Sequence, residues 1–61
     1  MKYVIYGSAP TFHITTLKNY TSYVMDARKV VDLCECKDYN EAYQAAIYNG
    51  WKEDEIVPAP Y

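Results

Sequence analysis

The side chains of this sequence best suited to chemistry are two cysteines and one histidine. Cys34-Glu35-Cys36 puts both thiols on one face of an extended segment, because side chains two apart in a strand point the same way. A zinc site needs about four ligands, and His13 is the further strong candidate. A disulfide between residues two apart in a strand has poor geometry. In a reducing compartment the pair reads as two small core residues, with a reactive or metal-linked role as the alternative. His13 lies between Phe12 and Ile14 in a period-two run, and no motif sets a serine, cysteine or carboxylate beside it. It reads as an exposed strand histidine. General-base work would need a pocket that a chain of this length scarcely builds. Asp38 and Glu41 are explained by helix capping. Glu53-Asp54-Glu55 is a solvated turn, or else an acidic patch that competes for a basic nucleic-acid site on another protein. Two glycines in all leave no glycine-rich phosphate loop. The expectation is a chain that is not an enzyme and holds no cofactor and no metal.

These residues need elements to position them, and the pattern supplies five. Lys2 to Tyr6 is a β-branched and aromatic run ended by the turn residues Gly7-Ser8-Ala9-Pro10. Thr11 to Thr15 alternates at period two, so the two runs form a hairpin with a four-residue connection. Thr15 or Thr16 caps a helix whose face is Leu17, Tyr20, Thr21, Val24 and Ala27, with Arg28-Lys29 at its C-terminal end. Val30 to Lys37 is a third strand. Asp38 and Glu41 open a second helix with the stripe Tyr39, Ala42, Tyr43, Ala46 and Ile47, and Asn49-Gly50 stops it. Trp51 folds back onto the core, the charged turn Lys52 to Glu55 follows, and residues 56–61 are an extended tail.

The expected fold is α+β: a small ββαβα domain over residues 1–50, with a three-stranded sheet and both helices on one face. Residues 51–61 form a C-terminal extension that packs through Trp51 and ends in a Pro-rich tail. Strand three lies beside strand one through a right-handed crossover.

Length and composition bound the function. The chain has 61 residues, one domain at most, and its 51% apolar content excludes intrinsic disorder. No run approaches the ~20 apolar residues of a membrane span, and the N-terminus is no secretory signal, so a cytoplasmic protein without membrane contact is expected. The match of Asn19-Tyr20-Thr21 to a glycosylation acceptor is then chance. Six basic and eight acidic residues leave a net charge of −2, without the basic excess on which nucleic-acid modules rely. Eight tyrosines exceed the needs of so small a core, and tyrosine is favoured at interfaces.

A sheet covered on one side should alternate apolar and polar residues, yet the first and third strands carry apolar residues on both faces. With both helices on one face, the other presents aliphatic and tyrosine side chains that a tail, a second copy or a partner must cover. Tyr3, Ile5, Val31, Leu33 and Tyr61 are the partner-binding candidates. The alternative is that residues 51–61 wrap across that face.

The residues Tyr3-Val4-Ile5, Gly7, Pro10, Thr15-Thr16 and Asp38-Tyr39-Asn40-Glu41-Ala42 together resemble the small N-terminal hybrid-binding, or viroplasmin-like, domain of ribonuclease H. The likeness covers roughly residues 2 to 48. It departs from the family's pattern at Thr11, where glycine is usual, at Leu17, where an aromatic is usual, and in its lack of basic loops. The resemblance implies a fold of this type and, if its function carried over, RNA/DNA-hybrid or duplex contacts by Lys18, Lys37, Arg28 and Lys29 and by exposed tyrosines. Three functions thus stand as expectations. The first is a protein-binding module, such as a phage or mobile-element inhibitor of a host enzyme or defence complex. The second is a nucleic-acid module, and the third a homodimer joined by sheet faces or edges.

Overall fold

The first strand carries apolar side chains in both directions, and the fold answers that pattern by covering both faces. A computed structural model describes residues 1–24 and 29–59; Ala27, Arg28 and Tyr61 lie outside the described residues. Strand β1 (Lys2–Ser8) pairs antiparallel with β2 (Thr11–Thr16) on one side and with β3 (Val30–Glu35) on the other. A short strand β4 (Ile56–Pro58) adds parallel to β2, so the order is β3-β1-β2-β4. The α+β class and the place of the third strand beside the first agree with expectation. The sheet has four strands rather than three, because the tail returns to the open side of β2 and pairs Phe12 with Ile56.

The hairpin is tighter than its turn residues suggest. Gly7 and Ser8 stay in the ladder opposite Phe12 and Thr11, and Ala9-Pro10 alone, joined by a cis bond, makes the connection. Gly7 holds φ at +117°, where a Cβ would stand 2.7 Å from the Thr11 carbonyl oxygen. Only a residue without a side chain fits there.

Helix α1 (Leu17–Asn19) is one α-helical turn that widens into a π-helical turn over Tyr20–Val24. Thr16 caps it, its Oγ1 accepting from the Asn19 N–H at 3.1 Å. The Thr21 hydroxyl donates to the carbonyls of Leu17 and Lys18 at 3.0 Å each, drawing on acceptors that an α-helix would use for its own amides. Helix α2 (Tyr39–Tyr48) begins at Asp38, whose Oδ1 accepts from the Glu41 N–H at 2.9 Å. It ends where the Asn49 N–H reaches Ala45 and Ala46 and Gly50 turns to φ +104°.

The helices lie on opposite faces of the sheet, which corrects the expectation of one shared face. On one side Tyr3, Ile5, Phe12, Ile14 and Ile56 pack with Cys36 and with Ala42 and Ala46 of α2. Alanine at both inward positions lets α2 sit close to the strands. Trp51 closes this core, its ring meeting Phe12 edge-on at 4.4 Å between centroids. On the other side Val4, Tyr6 and Tyr20 form a second cluster, flanked by Leu17, Val24 and Val30. Tyr6 and Tyr20 meet there at 5.2 Å and 60°.

The two glycines should respond differently to alanine. Gly7→Ala is expected to cost roughly 2 kcal/mol or more, from strain and the clash together. Gly50→Ala meets nothing within 4 Å, and the conformational cost alone, about 1 kcal/mol, should remain. Urea denaturation of the two variants checks the ranking.

Candidate functional site

Strand β3 is a sheet edge, and it carries two exposed aliphatic side chains. Its pairing with β1 runs Lys2 with Glu35, Tyr3 with Cys34, Val4 with Leu33 and Ile5 with Asp32, then jumps to Tyr6 with Val30. Val31 is therefore an extra residue, a bulge. The bulge turns Val30 onto the α1 side, where it packs against the Val4–Tyr6 cluster. Val31 and Leu33 are left 47% and 51% exposed.

The backbone of this edge is partly guarded. The Cys36 N–H donates inward to the Met1 carbonyl at 2.9 Å, so by the alternation of an antiparallel ladder Leu33 and Glu35 turn their amides outward. The outward Leu33 N–H is taken by the Asp32 carboxylate at 2.8 Å. A short-range acceptor of this kind blunts an edge without covering it. Glu35 carries a second exposed carboxylate, 3.3 Å from the terminal ammonium of Met1. The edge is thus an aliphatic pair with one carboxylate, Asp32, between its members and a second, Glu35, two residues beyond Leu33.

The residues expected to bind a partner do not share one surface. Tyr3 and Ile5 are 7% and 3% exposed beneath α2, which removes them from a binding face; β1 is central and each of its faces already has a helix. Leu33 pairs with Val4 and so belongs to the opposite, α1 side. Val31 and Leu33 remain accessible, and Tyr61 lies outside the described residues. The expected uncovered face was inferred from helices on a single side. With one helix on each side, neither sheet face is left open as a whole, and Val31 and Leu33 stay exposed at the edge.

The basic residues are not gathered into a patch. Lys18 is exposed on α1, while Lys29 and Lys37 flank the two ends of β3. At ~3.3 Å per strand residue those two lysines stand roughly 20 Å or more apart. Arg28 lies outside the described residues.

His13 is a structural link. Its Nδ1 lies 3.0 Å from the Val57 carbonyl, to which it donates, tying β4 to β2, and its ring lies 5.2 Å from that of Tyr6. Two shallow grooves mark the surface, one beside the hairpin with Tyr6, Ser8, Thr11, His13 and Lys29, the other between Tyr3, Asn19, Tyr39 and Pro58. Among the described residues no three His, Cys, Asp or Glu side chains come together as a metal site. The Cys34 and Cys36 sulfurs do come together, 3.2 Å apart. Burial pushes the Cys34 thiol up to about 11, helped by the Cys36 thiol and by the charges of Asp32 and Glu35.

Sequence reasoning missed the role of Asp32, though a signal was present. Aspartate is depleted in strands, and one amid Val30, Val31 and Leu33 suits an edge better than an interior. Compared with protein-family models, curated proteins and solved structures, the chain matches none of them.

Two outcomes follow for this strand. Asp32→Ala should release the Leu33 amide and raise self-association in sedimentation, whereas a monomer at every concentration would show that the carboxylate guards nothing. The raised Cys34 value favours the neutral thiol in the folded chain. Its contribution to stability is therefore full below pH 9.0 and is lost as pH rises toward about 11, where the unfolded chain has already ionised. At pH 8 iodoacetamide should alkylate Cys34 at least tenfold more slowly in the folded than in the urea-unfolded protein, a factor of ten in thiolate being about one pKa unit. Peptide mass mapping reads the two rates.

Proposed function

We propose that the chain is a protein-binding module that takes an extended segment of its partner along the outer edge of β3. The observation that supports it is the coincidence of an open strand edge with the exposed pair Val31 and Leu33. A docking strand would satisfy the outward groups of Leu33 and Glu35, and alternate side chains would rest on the aliphatic pair. The Asp32 carboxylate must swing away from Leu33 as this happens. A lysine or arginine on the incoming segment gives Asp32 and Glu35 a counter-charge, so the fitting partner is a basic, extended peptide segment. A second copy fits less well, since each chain carries a net charge of −2 and brings the same two carboxylates. A small acidic module with this edge suits a blocking role, in which occupancy of another protein does the work, including the inhibitor of a host enzyme or defence complex. No catalytic step is assigned to it.

The test is capture from bacterial lysate with and without nuclease, comparing wild type with Leu33→Lys and Val31→Lys. One stoichiometric, nuclease-resistant protein is expected, with at least a tenfold loss of affinity in each variant, about the weight of one interface hot spot. Both substitutions are at exposed positions and should shift stability by no more than ~0.5 kcal/mol. Undiminished capture by both variants would sink the edge reading. Material lost on nuclease treatment would favour nucleic acid, and a dimer in sedimentation would favour self-pairing.

A further inference from the structure

The two thiols are held in an arrangement that protein binding does not use. Cys34 lies on the α2 side of β3 opposite Tyr3, and Cys36 is fixed just beyond the strand by its backbone bond to Met1. Cys36 Sγ donates to Cys34 Sγ across 3.2 Å. Cys36 is buried, while Cys34 is half-buried at the sheet edge and offers the way in.

Sulfur separation discriminates among occupants. A disulfide would need the sulfurs at about 2.05 Å, a closure of more than an ångström. A linear two-coordinate cation with sulfur bonds of ~2.3 Å would force them roughly 4.6 Å apart. Tetrahedral zinc with the same bonds sets them roughly 3.8 Å apart and requires two further ligands. Among the described residues none are grouped to supply them. A pyramidal centre whose two sulfur bonds of ~2.3 Å meet near a right angle needs roughly 3.3 Å, close to what is present. Such a centre must bring its own third substituent, because the protein provides two donors.

We propose that Cys34 and Cys36 form a chelating dithiol site for a trivalent arsenical or antimonial, the soft pyramidal centres with this geometry. With an organoarsonous acid, R–As(OH)2, two As–S bonds form and two As–O bonds break. Each thiol proton leaves with a hydroxide as water, and arsenic remains trivalent, so no oxidant or reductant takes part. The site is independent of the partner-binding edge reading.

The probe is phenylarsonous acid added to the folded, reduced protein, read by intact mass under non-denaturing conditions. One adduct is expected, equal to the reagent less two waters, stable to excess glutathione and removed by a competing small dithiol. Cys34→Ser and Cys36→Ser should each lower retention roughly a hundredfold, the gain that a second linked donor gives. Cys34→Ser replaces a half-buried group and keeps the comparison readable if Cys36→Ser fails to fold. No adduct on the folded wild type, an adduct only in denaturant, or equal retention by the serine variants would each overturn the proposal. So would a mass lower by two hydrogens in place of the adduct, the mark of a disulfide.

Discussion

The fold depends on strand β1 being buried on both of its faces at once. Tyr3 and Ile5 project into the core under α2, while Val4 and Tyr6 project into the cluster under α1. Each face of the strand thus needs its own cover, and the chain is short enough that each cover is minimal. Helix α2 contributes two alanines and a bulkier margin; the α1 side contributes Leu17, Tyr20 and Val24. Val4 and Ile14, each 1% exposed, are the most deeply buried large side chains, one on either side of the sheet. Burying each is worth about 2 kcal/mol, so neither layer is dispensable in a domain of this size.

Covering both faces has a consequence for the edges. Among the described residues neither α1 nor α2 lies along the outer side of β3, and β4, only three residues long, closes part of the β2 side. What β3 has instead is a bulge at Val31 and the carboxylate of Asp32 on the Leu33 amide. Both are inexpensive devices that discourage indiscriminate strand pairing while leaving Val31 and Leu33 exposed. The same strand, at its far end, holds the two thiols against the Met1 backbone. Residues of different chemical use therefore sit within one six-residue strand and its first successor.

Much of the architecture is legible from local pattern. The caps at Thr16 and Asp38 and the stop at Gly50 all rest on short-range chemistry that the sequence displays. The side of the sheet each helix takes depends on long-range packing, which no local pattern encodes. The apolar residues on both faces of the first strand are the right clue, and what they encode is two covered faces rather than one exposed face. Strand β4 was hidden for a related reason: Ile56-Val57-Pro58 has no alternation long enough to declare a strand, and it exists because β2 offers an open side and His13 reaches Val57. At the edge, the exposure of Val31 and Leu33 is legible in the sequence, whereas the burial of Tyr3 and Ile5 is not, because it follows from the position of α2. The bulge that separates Val30 from Val31 leaves no mark in composition at all.

Residue-resolved amide hydrogen exchange tests the central claim most directly, that both faces of the sheet are covered by the chain itself while none of the described residues pairs with the outer edge of β3. The account predicts the strongest protection on β1 and β2, with the outward amides of β3, Glu35 above all, exchanging much faster than their inward neighbours Cys34 and Cys36. Uniform slow exchange along β3, equal to that of β1, would contradict it, since something in the free protein would then already occupy the edge.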